Sequence, residues 1–326
     1  MRPSRPEADP DGQEDPAGGT PEFAPTAIRF IKLGQGGEWE ERCLLHDQTL
    51  MLDYRSGQHT ESLEGDWEEV EREWLKKRGG KAGVAKSDVR QIRDFYTLPE
   101  TCLWITFHAR HLYWCFAHAE VEELSGGERV RKAVGGWKRQ TLTGQPLRFE
   151  NLDGRVTKVQ GYKGTICTIE LEGYLVRKIR GEVQPDVRAA AGARDVLIDR
   201  ITSLISGLWW KDFELLADLI FTRAGWQRVS VLGKAEKDLD LDLIEPVSGR
   251  RAFVQVKSSA TLQDLRNSIA QYQSYDDFHE MYFVVHTADA AIRNQALNGV
   301  TVIDRPKLAE LVLSSGLVDW LIAKRS

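Results

Sequence analysis

Residues 237–257 restrict this chain more than any other stretch. They read Lys237-Asp238-Leu239-Asp240-Leu241-Asp242-Leu243-Ile244, a polar turn from Pro246 to Arg250, and Ala252-Phe253-Val254-Gln255-Val256-Lys257. Strict alternation is the period of a β-strand, whose successive side chains point to opposite faces. Asp240 and Asp242 therefore share a face, and so do Gln255 and Lys257. Two such strands joined by a tight turn pair as a hairpin, and the polar sets can then converge. Acids beside an amide and a lysine can gather a hard cation: Mg²⁺ takes one or two carboxylates and leaves its other positions to water and phosphate. The lysine can orient a water and offset charge on a phosphate. Taken singly, each strand also fits an ordinary amphipathic strand with a solvated face.

The rest of the chain sets the frame. At 326 residues, two domains are expected. Cys43, Cys102, Cys115 and Cys167 form no Cys-x-x-Cys pair, so neither a zinc knuckle nor a disulfide framework is suggested. No apolar run approaches eighteen residues and no secretory leader is seen, so a cytoplasmic protein without membrane contact is expected. The net charge of −5 gives little general attraction for nucleic acid, and any such affinity must be local.

Residues 1–26 hold six of the eleven prolines and two arginines against six acidic residues, and are expected to be a disordered tail. Residues 27–180 read as an α+β domain. Strands are predicted at 28–33, 49–54, 147–149 and 165–171, a helix at 67–78, and a hairpin of 102–108 with 112–117. Gly34-Gln35-Gly36-Gly37 reads as a turn, and His108 and His111 as a surface pair at the hairpin tip. A small, polar linker is expected at 181–194. Beyond it, 195–326 reads as an α/β domain, with helices at 196–210 and 212–224, strands at 227–231, 239–245 and 252–257, then helix 262–272, strand 281–286, helix 288–298, strand 300–303 and helix 307–313.

Four pieces of 195–326 occur in one order. They are Asp212-Phe213-Glu214-Leu215-Leu216 with Gly225-Trp226, then Asp242-Leu243-Ile244, then Phe253-Val254-Gln255-Val256-Lys257, and last Val302-Ile303-Asp304 with Leu308. In this order the domain resembles the PD-(D/E)xK nuclease superfamily, in its Mrr-like type IV restriction endonuclease branch. The resemblance implies a restriction-endonuclease-like fold and a metal-dependent DNA endonuclease using Mg²⁺ or Mn²⁺, with a role in antiviral defence. It implies catalytic roles for Glu214, Asp242, Gln255 and Lys257, with metal held at Asp242 and Gln255. The Gly-rich approach to the family's aspartate is here Lys-Asp-Leu-Asp-Leu, which leaves Asp240 as the true ligand or a second one. Double-strand cutting implies a homodimer, or two copies meeting on DNA.

Nucleases of this branch commonly carry a separate reader, so the first domain is expected to recognise DNA. Its aromatic hairpin resembles PUA-superfamily readers of the EVE or YTH kind, which implies a small barrel holding a modified base. Trp39, Tyr96, Trp104 and Trp114 are the candidate pocket, although tryptophans on alternating strands are also ordinary core. Arg131, Lys132, Lys138 and Arg139, in an expected Gly-rich loop around Trp137, are candidate phosphate contacts. Two other functions fit the same residues: a non-catalytic DNA-binding scaffold with a degenerate nuclease fold, and a nuclease effector gated by a ligand.

Overall fold

The hairpin predicted at 102–117 is the centre of a seven-stranded sheet in the computed structural model, which describes residues 23–55, 57–229, 240–293 and 299–326. The chain divides into two compact units, Met1–Val183 and Gln184–Ser326. In the first, strands β1 (Ala27–Ile31) and β2 (Thr49–Leu52) precede helices α1 (His59–Glu64), α2 (Trp67–Lys77) and α3 (Ala82–Thr97). The hairpin strands β3 (Cys102–His108) and β4 (His111–Ala117) follow, then β5 (Glu122–Glu123), β6 (Arg129–Lys138), the short helix α4 (Gly154–Thr157), β7 (Ile166–Thr168) and helix α5 (Glu172–Arg180). The sheet runs β2-β6-β4-β3-β1-β7, with β5 on β6; β1 and β3 are parallel. No pairing joins β2 to β7 among the described residues, so the expected PUA-like barrel is replaced by an open mixed sheet.

Period-2 alternation explains its two cores. One face of the hairpin carries Trp104, Tyr113 and Cys115, packed with Val70 and Trp74 of α2 and Ile92 and Phe95 of α3. The other carries Ile105, Phe107 and Trp114, packed with Leu175 and Ile179 of α5. Several expectations fail here for physical reasons. β6 was expected to be a Gly-rich loop. It is a strand because Gly135 (φ 66°) and Gly136 (φ 75°) absorb an irregularity opposite Trp114 and Phe116. The expected strand at 147–149 makes only an isolated bridge, His111 with Arg148. The end of the expected tail belongs to the fold: the Phe23 ring lies 5.2 Å from Trp114, and its carbonyl accepts from Arg180 at 2.8 Å. Residues 1–22 lie outside the described residues.

In the second unit the expected linker is the start of a helix, α6 (Pro185–Ser206). Pro185 stands in its first turn, where its missing N–H costs nothing, and Ala189-Ala190-Ala191 have the highest helix propensity. Helix α7 (Trp210–Arg223) leads to β8 (Gln227–Arg228), β9 (Leu241–Ile244), β10 (Arg251–Ala260), α8 (Leu262–Tyr272), β11 (Glu280–Ala288), α9 (Ala290–Arg293), β12 (Val300–Ile303), α10 (Arg305–Ser314) and α11 (Val318–Arg325). The sheet order is β12-β11-β10-β9-β8. Strands β10, β11 and β12 are parallel, while β9 and β8 are antiparallel.

Both faces of this sheet are covered, so β10 is buried almost continuously from Ala252 to Val256. Leu241, Leu243, Val254 and Val256 face α6, α7, α10 and α11, whereas Phe253, Phe283 and Val285 pack with Leu265 of α8. Parts of the expected strands 227–231 and 239–245 and helix 288–298 lie outside the described residues. No described helix is long and apolar enough to cross a membrane.

Candidate functional site

The β9–β10 register sets Asp242 across from Phe253 and Leu241 across from Val254. Opposed residues of an antiparallel pair share a face, so the same register carries Asp240 to Gln255. Their side chains meet: the buried Gln255 donates Nε2–H to Asp240 Oδ2, and the Val256 amide donates to the same oxygen at 2.7 Å. Lys257 lies two residues further along this face and is exposed. Glu214 comes from α7, whose neighbouring Phe213 is buried and sits edge-on against His286 at 4.7 Å. That contact seats the first turns of α7 on the sheet.

The electrostatics bind this group together. Burial raises the Asp240 carboxyl above its ordinary pKa, opposed by the Val256 N–H, the Lys257 ammonium and the Gln255 amide. Burial also raises Glu214, and the Asp240 charge raises it further, with Lys257, Lys211 and Arg228 pulling it down. Each acid thus costs free energy to ionise, and a divalent cation between them would offset that cost. Hard oxygen ligands of this kind suit Mg²⁺ or Mn²⁺. Among the described residues no three His, Cys, Asp or Glu side chains form a ready metal cage, so protein ligands would fill only part of the coordination sphere.

Asp242 is placed otherwise. Its carboxylate accepts from Arg251 Nη2 at 2.6 Å and from Nε at 3.4 Å, and Arg251 also pairs with Asp277 and lies over the Phe278 ring. The structure therefore brings together Glu214, Asp240, Gln255 and Lys257, and leaves Asp242 in an ion pair. Arg251 was missed by sequence reasoning, although it occupies the same strand face as Gln255 and Lys257. His286, which supports α7, carried no motif at all; burial and Arg305 lower its pKa.

The N-terminal candidates do not converge. Trp104 and Trp114 are both buried but on opposite faces of the sheet, and so cannot line one slot. Trp39 packs partly buried on the α2–α3 core. The Tyr96 hydroxyl accepts from Arg129 at 2.8 Å and bonds His59 Nδ1 at 2.8 Å. Arg131 is corrected as a phosphate contact. It is 0% exposed and donates to the carbonyls of His118, Phe95 and Ala117 at 2.6, 3.0 and 3.2 Å. Its arginine head is fully used inside the fold. Lys132 is exposed but pairs with Glu122 at 2.8 Å. Lys138 and Arg139 are exposed and line an open cavity of about 430 Å³ with Trp114 and Trp137; the Lys138 ammonium is 5.0 Å from the Trp114 ring centre.

Against known proteins, residues 205–312 match the Mrr_cat family model, a restriction endonuclease. No curated protein matches the chain. Among solved structures the chain is similar to the MspJI restriction endonuclease in complex with a 27-mer oligonucleotide, with 12% identity over 74% of this chain and 68% of that one, at a TM-score of 0.26. A superposition that loose adds nothing to the family match.

Proposed function

Because residues 205–312 carry a restriction endonuclease domain of the Mrr type, we propose that this protein is a metal-dependent DNA endonuclease of restriction type, which defends its cell by cutting foreign or modified DNA. One observation carries the reading: Glu214, Asp240, Gln255 and Lys257 form a single electrostatic cluster at the β9–β10 pair and the start of α7. Asp240 and Glu214 would hold the cation, with Asp240 the main ligand in place of Asp242. When bound, the cation supplies Lewis acidity at the scissile phosphate. Gln255 and the Val256 N–H fix the Asp240 carboxylate. Lys257, at the solvent end of the strand face, orients the attacking water and offsets charge developing on the phosphate. Asp242 and Arg251 clamp the hairpin.

In the N-terminal unit, Lys138 and Arg139 contact DNA phosphates, because they are exposed beside Trp137 while Arg131 is not. Cutting both strands requires two such sites, supplied by a homodimer or by two copies on DNA.

The test is cleavage of modified and unmodified plasmid DNA with Mg²⁺ or Mn²⁺, beside the Lys257→Ala protein. Metal-dependent cutting that Lys257→Ala abolishes, with DNA binding retained, is expected. Cutting by both proteins would remove Lys257 from the site, and cutting by neither on any substrate would favour the scaffold or ligand-gated reading.

A further inference from the structure

Trp209 caps the N-terminus of α7 and Trp210 is its first residue; they are 58% and 50% exposed. A tryptophan gains much by burial, so two adjacent ones left in solvent are costly unless something covers them. Their rings meet edge-on at 5.6 Å, and the Lys211 ammonium lies 5.3 and 5.2 Å from the two ring centres. Among the described residues no carboxylate is in ion-pair contact with Lys211.

The surface is held rigidly. Arg325 donates to the Gly207 carbonyl, and Lys324 pairs with Asp212 at 2.8 Å, so α11 ties down the chain on both sides of the tryptophans. Phe213, in the same turn, is locked against His286. A pre-ordered aromatic platform binds without a large ordering cost.

Its position relates it to the acidic cluster. Trp210 and Glu214 are four residues apart on one helix and so lie on one side of it, about 6 Å apart along the axis. Lys211 acts on the Glu214 charge directly. At 3.4 Å per base along a strand, 6 Å is roughly two steps of DNA.

Resting on the nuclease reading above, we infer that Trp209 and Trp210 stack on unpaired bases next to the scissile phosphate, with Lys211 on the adjoining phosphate. The charge of Lys211 and the two flat rings favour a nucleic-acid strand over an apolar protein partner. Base stacking on aromatic side chains contributes on the order of 1–3 kcal/mol per base and is blind to sequence. A platform of this kind serves an enzyme that must open a duplex locally to reach its bond, whatever sequence another part of the molecule has chosen.

The test measures binding, in EDTA, of full-length Lys257→Ala protein to a labelled duplex with a central unpaired stretch and to the fully paired duplex of equal length. Adding either Trp209→Ala or Trp210→Ala should weaken the first about ten-fold and the second less than about two-fold. Trp210→Phe should recover most of the loss, which a misfolded protein could not do. Equal losses on both duplexes, or none, would overturn the inference. A fall in oligomer size with unchanged affinity for the unpaired stretch would also overturn it and assign the tryptophans to a contact between copies. The readout needs no cleavage, so it stands apart from failure of the nuclease reading, which Lys257→Ala cutting assays report.

Discussion

Asp240 and Asp242 differ by one turn of the pleat, and the structure predicts opposite outcomes for removing their charges. The Asp242 side chain is 13% exposed and its partner Arg251 27%, with two N–H groups on the carboxylate. Hydrogen bonds to charged groups contribute about 1.5–3 kcal/mol, more so when a two-pronged pair is shielded from water. Asp242→Asn should therefore destabilise the C-terminal unit by about 2 kcal/mol. For a unit of this size that lowers Tm by about 4–8 °C, while cutting at temperatures well below Tm is kept. Asp240→Asn works the other way. Asparagine can still accept from the Val256 N–H, and it removes a charge that burial disfavours and that repels Glu214. Stability should hold or rise. Cutting should fall about a hundred- to thousand-fold, the several kcal/mol that a Lewis acid contributes. The assay is calorimetry on both full-length variants together with timed plasmid cleavage. An Asp242→Asn protein with unchanged Tm and no cutting, beside an Asp240→Asn protein that still cuts, would refute the reasoning.

Two further outcomes follow. The folded pKa values of Asp240 and Glu214 lie above their ordinary values, so the folded state holds these protons more tightly than the unfolded chain; the resulting stability is present at low pH and is lost as pH rises from about 4 through the raised values. Mg²⁺ or Mn²⁺ should therefore raise Tm more at pH 7.5 than at pH 5, which a calorimetric series in EDTA and in metal checks, and an equal shift at both would count against these ligands. In the N-terminal unit, Arg131→Leu should cost about 2–4 kcal/mol of stability by stripping three buried carbonyls of their donor, and should leave the salt dependence of DNA binding unchanged. Lys138→Ala and Arg139→Ala should each reduce the salt slope by about one, with stability unchanged, as affinity measured across a salt series would report.

Alternation and helical period revealed much of the fold in advance. The predicted bounds coincide with α8 and β12, and nearly so with α2 and the β3–β4 hairpin. The misses share a cause: local composition yielded to tertiary context. Ala82–Thr97 intersperses polar and charged residues throughout, and its helix forms because Val89, Ile92 and Phe95 fall on one side and meet the sheet. Gly135-Gly136 punctuates β6 as if it were a loop, but a strand tolerates positive φ at a bulge. The small, polar start of α6 looked like a linker because its exposed residues have no apolar stripe for periodicity to find.

The candidate site was legible to the level of the strand face and no further. Alternation places Asp240 and Asp242 side by side, and a motif comparison favours Asp242 because Leu243-Ile244 follows it. Which acid is left to attract a cation depends on what stands across the hairpin, and that is a matter of register. The connection between Ile244 and Arg251 sets Gln255 opposite Asp240, while Arg251 reaches Asp242 diagonally. An acid already neutralised by an arginine gains little from a cation, whereas one faced by an amide and an N–H, with a second carboxylate nearby, gains a great deal. The same logic removes Arg131 from the DNA surface: its charge pattern in sequence matches that of Lys138, but three backbone carbonyls had already claimed it. In both places the deciding fact is the partner each charge has found, and a one-dimensional pattern does not contain it.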